Sequence, residues 1–134
     1  MAEVVYSLLR LLKSMIPGER EMNTTTGKVM VTAGHRQSNP GAFNEQWKVS
    51  EWQVTDIIAR QFERRKEKYN YDVINPRRVS LLDKVDICNH YQCDFAIELH
   101  LNAFNGKASG SECLYWHTSF YGEYLAGAIN DNLY

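Results

Sequence analysis

Two histidines and one glutamate have the residue types and surroundings of metal ligands. His35 follows the short apolar run at 29–33, and His100 lies near the end of a second such run at 94–102. Glu51 lies between them in the sequence. Two imidazoles and one carboxylate form a ligand set suited to catalytic zinc, which usually keeps its fourth position for water. Because the long gaps between the three residues carry little information by themselves, the interpretation depends on the elements that position them.

Each histidine follows a segment that is typical of a β-strand. Four to eight apolar residues bounded by polar ones predict a strand that is buried on both faces, and the runs at 29–33 and 94–102 have this pattern. Open α/β sheets bind their ligands just beyond the carboxyl ends of such strands. If the two strands are parallel neighbours, His35 and His100 meet at one edge of the sheet.

A predicted helix positions the glutamate. Ser50 is a suitable N-cap, and the helix should run to about residue 68. Its predicted buried face has apolar residues at three- and four-residue spacing, namely Val54, Ile57, Ile58 and Phe62. Glu51 shares this face at the first turn. An acid there has two explanations: a favourable interaction with the helix dipole, or a metal ligand, because an acid turned toward the core needs a positive partner.

The other elements complete an α/β fold. They are a strand at 71–75, a helix at 81–91 that would bury Leu81, Leu82, Val85 and Cys88, a strand at 111–116 and a helix at 120–134. Because strands alternate with helices, the pattern favours a mostly parallel, twisted sheet flanked by helices.

The first 27 residues form a separate predicted segment. Apolar residues at positions 4, 5, 8, 9, 11, 12, 15 and 16 predict an amphipathic helix, which Pro17 and Gly18 end before a polar linker. The helix either packs on its own domain, docks a partner protein or lies on a membrane surface, the last being disfavoured because its polar face has few cations. One domain is predicted at 28–134.

Composition excludes several classes of function. The chain has 134 residues, enough for one domain, and its formal net charge of −1 gives no electrostatic basis for binding nucleic acid. No apolar run approaches the ~20 residues that span a bilayer. The acidic start of the chain lacks the features of a signal peptide. We therefore expect a protein that is made in the cytoplasm without a signal peptide.

The three cysteines are too few and too irregularly spaced for a disulfide framework, so we expect reduced thiols. Cys88, His90 and Cys93 suggest a second metal site, but offsets of two and three along a helix do not bring all three side chains together. Thiols in the core are the preferred interpretation. For His117, a surface position is preferred over one near the zinc site.

The order of motifs in this chain is specific. A strand ending in Gly34 and His35 precedes a loop with Pro-Gly-Ala at 40–42, Glu51 opens a helix, and a later strand ends in a His-x-Asn motif at 100–102, followed by Gly-Ser-Glu at 110–112. This order resembles the zinc-dependent N-acetylmuramoyl-L-alanine amidases of the amidase-3 type. The resemblance covers residues 28–134.

The resemblance implies a cofactor and a substrate. His35, Glu51 and His100 would bind Zn²⁺, and the substrate would be peptidoglycan, cleaved at the amide between the lactyl group of N-acetylmuramic acid and the L-alanine of the stem peptide. Zinc would lower the pKa of its water toward ~7 and polarise the scissile carbonyl. Asn102 and Glu112 would lie nearby, Asn102 with a role in substrate binding.

Three departures from the family pattern bear on activity. Arg36 stands where the family commonly has glycine, and it either narrows the approach to the metal or binds a substrate carboxylate. Glu98 takes the place of a small polar residue close to the site. The general acid/base glutamate of the family comes from a later segment, which this chain lacks, so Glu98 and Glu112 are the candidate catalytic replacements. Such assistance is typically worth ~10²–10⁴-fold in rate.

The sequence leaves two functions open. The first is an active peptidoglycan hydrolase that acts at the bacterial cell wall. In this hypothesis the protein is a phage endolysin, which is released by a holin or carried in a virion. The second is a non-catalytic, truncated or split amidase domain that binds the wall or has a structural role. The ligand triad favours the first, and the absent glutamate favours the second. The shortened sheet would leave an edge for a protein partner or a second copy to cover, with the amino-terminal helix as a further contact.

Overall fold

The computed structural model describes residues 27–68, 71–101 and 110–133. These residues belong to two compact units, which divide between residues 103 and 104. The predicted amino-terminal helix lies outside the described residues, so this helix and the domain boundary at residue 27 stay predictions. None of the helices in the described ranges has the length and apolar character needed to cross a membrane.

A three-stranded parallel sheet forms the centre of the first unit. In chain order this unit contains β1 (Gly27–Ala33), β2 (Phe43–Asn44), β3 (Val49–Ser50), α1 (Glu51–Arg65), β4 (Tyr71–Ile74), α2 (Leu81–Tyr91) and β5 (Phe95–Leu99). β1 lies between β4 and β5, and Val29 pairs with Val73 on one side and with Phe95 on the other. The predicted α/β fold with parallel strands is thereby confirmed. The short strands β2 and β3 form a separate antiparallel pair.

The strands differ in how completely they are buried. Every residue of β1 from Val29 to Ala33 is buried, as the apolar run predicts. In β5, half-buried residues alternate with exposed ones, and none is fully buried. The prediction of a strand buried on both faces is therefore correct for β1 and wrong for β5. The reason is the cover of its faces: helix α1 packs on β1 and β4, whereas no helix in the described residues packs as closely on β5.

Helix α1 begins where the sequence predicts. Ser50 is its N-cap in a reciprocal capping box, in which the Ser50 N–H donates to the Gln53 side chain at 2.7 Å and the Ser50 hydroxyl accepts from the Gln53 N–H. A 3₁₀ turn at Lys66–Lys68 extends the helix. This arrangement satisfies two of the N–H groups that a helix leaves free at its start. The cap fixes the orientation of the first helical residue, Glu51.

The buried face of α1 is rotated from the predicted one. Its buried residues are Glu51, Thr55, Asp56, Ala59 and Phe62. Phe62 confirms the prediction, but Ile57 is 55% exposed, so its assignment to the core is wrong. The helix packs on β1, and the small side chains of Thr55 and Ala59 let two backbones approach where larger residues would hold them apart.

Helix α2 buries a cation in place of an apolar stripe. Leu81, Leu82 and Val85 are exposed, which contradicts their predicted burial, and the buried residue of this helix is Lys84. Lys84 reaches the carboxyl end of β1, where the carbonyls of Ala33 and Gly34 accept its hydrogen bonds. The helix therefore turns its lysine inward because the sheet presents acceptors at that point, and its leucines face outward.

A buried ion cluster joins α1 to the segment after β4. Asp56 has 4% of its side chain exposed and accepts hydrogen bonds from Arg77 at 2.8 and 3.0 Å, and Arg60 contacts the same carboxylate. A buried carboxylate is tolerated when it is paired and hydrogen-bonded in this way. The cluster fixes the path of the chain between the sheet and α2.

The second unit, over the described residues 110–133, contains helix α3 (Phe120–Asp131). Ser119 caps it by accepting from the Gly122 N–H at 3.0 Å. The predicted helix is confirmed, but the predicted strand at 111–116 is wrong, since these residues form no ladder with any described residue. Leu114 and Trp116 are 87% and 72% exposed. A strand needs a paired neighbour and a covered face, and this segment has neither among the described residues.

Candidate metal centre

The ends of β1 and β5 bring the two histidines together. The strands are parallel and in register, with Ala33 opposite Leu99, and the Gly34 N–H donates to the Leu99 carbonyl at 2.7 Å. His35 and His100 therefore leave the sheet side by side. Their ring centroids are 5.2 Å apart and the ring planes are nearly perpendicular, at 85°.

Glu51 lies between the two imidazoles. Its Oε2 is 3.2 Å from His35 Nε2, and its Oε1 is 3.0 Å from His100 Nδ1. The N–H groups of Leu101 and Ala42 donate to the same carboxylate at 3.0 and 3.3 Å. Only 5% of the Glu51 side chain is exposed, compared with 31% for His35 and 47% for His100. The convergence predicted from the sequence is present in the structure.

The environment of Glu51 keeps its carboxylate charged. Burial acts to raise its pKa, but the N–H groups of Leu101 and Ala42 and the nearby His100 and His35 outweigh that effect, so the pKa lies below the ordinary glutamate value. A metal ligand has to be deprotonated. Glu51 is therefore in the form that a cation requires.

Two glycines allow the side chains to approach so closely. A Cβ on Gly34 would lie 2.6 Å from His100 Nε2, and a Cβ on Gly41 would lie 2.7 Å from both His35 Nε2 and Glu51 Oε2. Gly41 also has a φ of +74°, a left-handed conformation that L side chains rarely adopt. The backbone at these positions forms part of the wall of the site.

The donor set fits a divalent transition metal. One donor atom from each of His35, Glu51 and His100 lies within 4.8 Å of the other two. Ligands ~2.0–2.1 Å from a tetrahedral zinc ion are ~3.3 Å apart, and the two shortest contacts, at 3.0 and 3.2 Å, are close to that spacing. Imidazole nitrogen favours zinc over magnesium or calcium. The three residues therefore form a donor set that is compatible with zinc.

A second metal site at the cysteines has no support in the described part of the chain. Cys88 and Cys93 are half-buried, and they form no metal-compatible group with His90 within the described ranges. Burial, together with neighbouring Cys88, raises the pKa of Cys93 to about 11. A thiol that stays protonated at neutral pH is a poor metal ligand. His117 is exposed, as expected.

The other predicted site residues fall in different places. Glu98 Oε1 contacts His100 Nε2 at 2.9 Å, so this acid is adjacent to the centre. Glu112 belongs to the other compact unit, and Asn102 lies outside the described residues. The predicted roles of Asn102 and Glu112 stay predictions.

Arg36 lines a cleft next to His35. The cleft has a volume of about 270 Å³, and its lining residues are Arg36, Gln37, Ser38 and Arg78. Arg78 has a φ of +62°, which is uncommon for a residue with a side chain. Within the described residues neither of these two guanidinium groups forms an ion pair. The cleft therefore presents two cations that form no ion pair with a described residue, although the charge of Arg36, after the hydrogen bonds from Ser80, contributes to lowering the pKa of Asp83. The sequence analysis identifies only Arg36.

Sequence reasoning also missed Lys84, the buried cation that contacts Glu98 at 2.9 Å. A signal for it was present in the spacing. Leu81, Lys84 and Cys88 follow one another at intervals of three and four, so the lysine lies on the stripe that was predicted to be buried.

The fold and the site together define an α/β domain with a metal-compatible His-Glu-His centre at the carboxyl ends of parallel strands. Residues 29–134 match the family model Amidase_3, described as N-acetylmuramoyl-L-alanine amidase. The chain belongs to this family. Comparisons with curated proteins and with solved structures gave no match.

Proposed function

We propose that this protein is a zinc-dependent peptidoglycan amidase, which cleaves the amide between the lactyl group of N-acetylmuramic acid and the L-alanine of the stem peptide. The observation that carries the proposal is the convergence of His35, Glu51 and His100 in a chain of the Amidase_3 family. These three residues would hold the ion. Bound zinc would polarise the scissile carbonyl and lower the pKa of water toward ~7.

The exposure of the three ligands supports a catalytic site over a structural one. Glu51 is buried and keeps its negative charge between the two imidazoles. The two histidine side chains are 31% and 47% exposed, and a substrate carbonyl can reach the centre from their side. Structural zinc sites are normally closed by four protein ligands, whereas catalytic sites have three and keep one position open.

Release of stem peptides from purified peptidoglycan tests the function. The zinc-loaded full chain is expected to release peptides with a new amino-terminal L-alanine, detected by mass spectrometry. Removal of zinc with a chelator should abolish the release, and added zinc should restore it. His100→Ala should be inactive because one of the three ligands is lost.

A lack of peptide release by the folded chain would contradict the proposal. If the folded, zinc-loaded chain releases no peptide from peptidoglycan of several chemotypes, it is not an amidase. Measured binding to the same peptidoglycan would then support a non-catalytic wall-binding component. Release that persists after complete removal of zinc would contradict the metal-dependent mechanism.

We also propose that Arg36, together with Arg78, binds a carboxylate on the stem-peptide side of the scissile amide. Two unpaired guanidinium groups line one cleft directly after His35. Guanidinium is well suited to carboxylate, because it offers several N–H donors in a planar fork.

Substituting this arginine should affect substrate binding more than the chemical step. Arg36→Ala is expected to raise KM by ~10-fold with little change in kcat, because a charge-assisted hydrogen bond is worth ~1.5–3 kcal/mol and both side chains are exposed. The measurement uses muropeptides with a free carboxylate at the second stem residue and matched carboxamides. The increase in KM should be confined to the muropeptides with the free carboxylate. Arg64→Ala, at the far end of α1, is the control, and an equal loss on both substrates would contradict the assignment.

A further inference from the structure

Lys84 is a buried cation whose contacts reach both histidine-bearing strands. Only 6% of its side chain is exposed, and its Nζ donates to the carbonyls of Ala33 and Gly34 at 2.6 and 2.9 Å and to Glu98 Oε2 at 2.9 Å. An ammonium group has three hydrogens, and here they meet three acceptors. Lys84 is therefore fully satisfied, and it joins the backbone preceding His35 to a side chain of β5.

Glu98 links Lys84 to His100 through its two carboxylate oxygens. Its Oε2 accepts from Lys84, and its Oε1 lies 2.9 Å from His100 Nε2. About one third of the Glu98 side chain is exposed, so without the lysine it would be free to change rotamer. Both carboxylate oxygens are engaged, one by a cation and the other by the outward nitrogen of the imidazole.

Resting on the proposed zinc site, we propose that Lys84 and Glu98 are positioning residues that hold His100 in the tautomer able to bind the metal. When Nε2 carries the hydrogen and donates it to Glu98, Nδ1 has a free lone pair. That lone pair faces Glu51 Oε1 at 3.0 Å. Two acceptors at this distance repel each other unless a cation lies between them, so this tautomer prepares the site for a cation.

A carboxylate on the second nitrogen of a metal-binding histidine fixes the tautomer and ring orientation and makes the ligand more basic. The alternative for Glu98 is the general acid/base role that the sequence suggested. The two roles predict different measurements, because a positioning residue affects the affinity for zinc, whereas an acid/base residue affects turnover at full zinc occupancy.

The test is the dissociation constant of zinc, measured on the full chain by competition with a chromogenic chelator. Glu98→Ala is expected to weaken binding by ~10–100-fold, the usual cost of losing such a partner. Glu98→Gln keeps an acceptor for the imidazole and should lose less. Lys84→Met should also weaken the binding of zinc. When Lys84→Met is combined with Glu98→Ala, the dissociation constant of zinc should rise by less than a further ~3-fold, because Lys84 acts on His100 through Glu98.

The control variant is Lys66→Met. Lys66 also pairs with a carboxylate, that of Asp72 at 3.2 Å, but Asp72 lies opposite Lys28 at the start of β1, away from the centre. The zinc affinity of the Lys66→Met variant should match that of the unmodified chain. Circular dichroism establishes that each variant is folded. Glu98 remains the decisive position if Lys84→Met does not fold, because its side chain is partly exposed.

A second readout follows the tautomer directly. The ¹⁵N chemical shifts of His100 in the metal-free chain should report hydrogen on Nε2, and Glu98→Ala should shift the population toward the other tautomer. Unchanged zinc affinity in folded Glu98→Ala would overturn the inference, as would a loss of turnover with full zinc affinity in both Glu98 variants. Failure of the unmodified chain to bind zinc would overturn the proposed function as well.

Discussion

Glu51→Gln is expected to reduce the affinity for zinc by more than ~100-fold and to abolish zinc-dependent amidase activity. Losing a residue in the outer shell of a zinc site already costs ~10–100-fold, and Glu51 would bind the ion directly. Glutamine has nearly the same shape, but it lacks the charge. Its amide would also present an N–H group where the backbone N–H groups of Leu101 and Ala42 already donate.

The measurement is a zinc titration followed by the peptide-release assay at saturating zinc. Glu63→Gln is a suitable control, because Glu63 is an exposed carboxylate on the same helix. It should bind zinc and turn over like the unmodified chain. Zinc affinity in Glu51→Gln within a few-fold of the original value would show that Glu51 is not a ligand, and the assignment of the centre would have to be abandoned.

Gly41→Ala is expected to disrupt the centre without changing any ligand. The new Cβ would lie 2.7 Å from His35 Nε2 and Glu51 Oε2, so these side chains have to move. The left-handed φ of +74° adds ~1–2 kcal/mol of backbone strain for a residue with a side chain. We expect a loss of at least ~10-fold in zinc affinity and a lower Tm.

Gly127→Ala is the matched control for this substitution. Gly127 lies within helix α3, and its added Cβ would meet no atom within 4 Å. Because alanine favours a helix by ~1 kcal/mol over glycine, this variant should be as stable as the original or more so. If Gly41→Ala retains full zinc affinity and Tm, the loop at Gly41 does not restrict the site as its geometry indicates.

The convergence of His35, Glu51 and His100 could be predicted from the sequence because two strand ends, a helix cap and the order of the motifs all indicate it. Short apolar runs mark β1 and β5, parallel strands end at the same side of a sheet, and Ser50 is a recognisable cap in front of Glu51. The strand and cap patterns each extend over a few residues, and the order of the motifs, which resembles that of the amidase-3 family, indicates that the strands are neighbours. His35, Glu51 and His100 converge as these rules predict.

The errors arose where the answer depends on neighbours that a sequence does not display. The composition of β5 matches that of a central strand, and its partial exposure follows from the lack of a described helix packed closely on its faces. The apolar spacing of α2 favours its leucines for the core, yet Lys84 is buried, because the carbonyls of Ala33 and Gly34 accept its hydrogen bonds. Residues 111–116 have the composition of a strand but lack a paired neighbour among the described residues.

The register between β1 and β5 has a further consequence for how metal and fold depend on each other. Ala33 and Leu99 are the last paired residues; His100 follows Leu99 directly, and His35 follows Ala33 after Gly34. An ion held by both histidines would act as a clamp across the open end of this strand pair. By linkage, free zinc at ~1,000 times its dissociation constant would add ~4.1 kcal/mol to the stability of the paired state. If the chain binds zinc as proposed, zinc depletion would therefore loosen β5 from β1 and expose backbone groups that could pair with other chains.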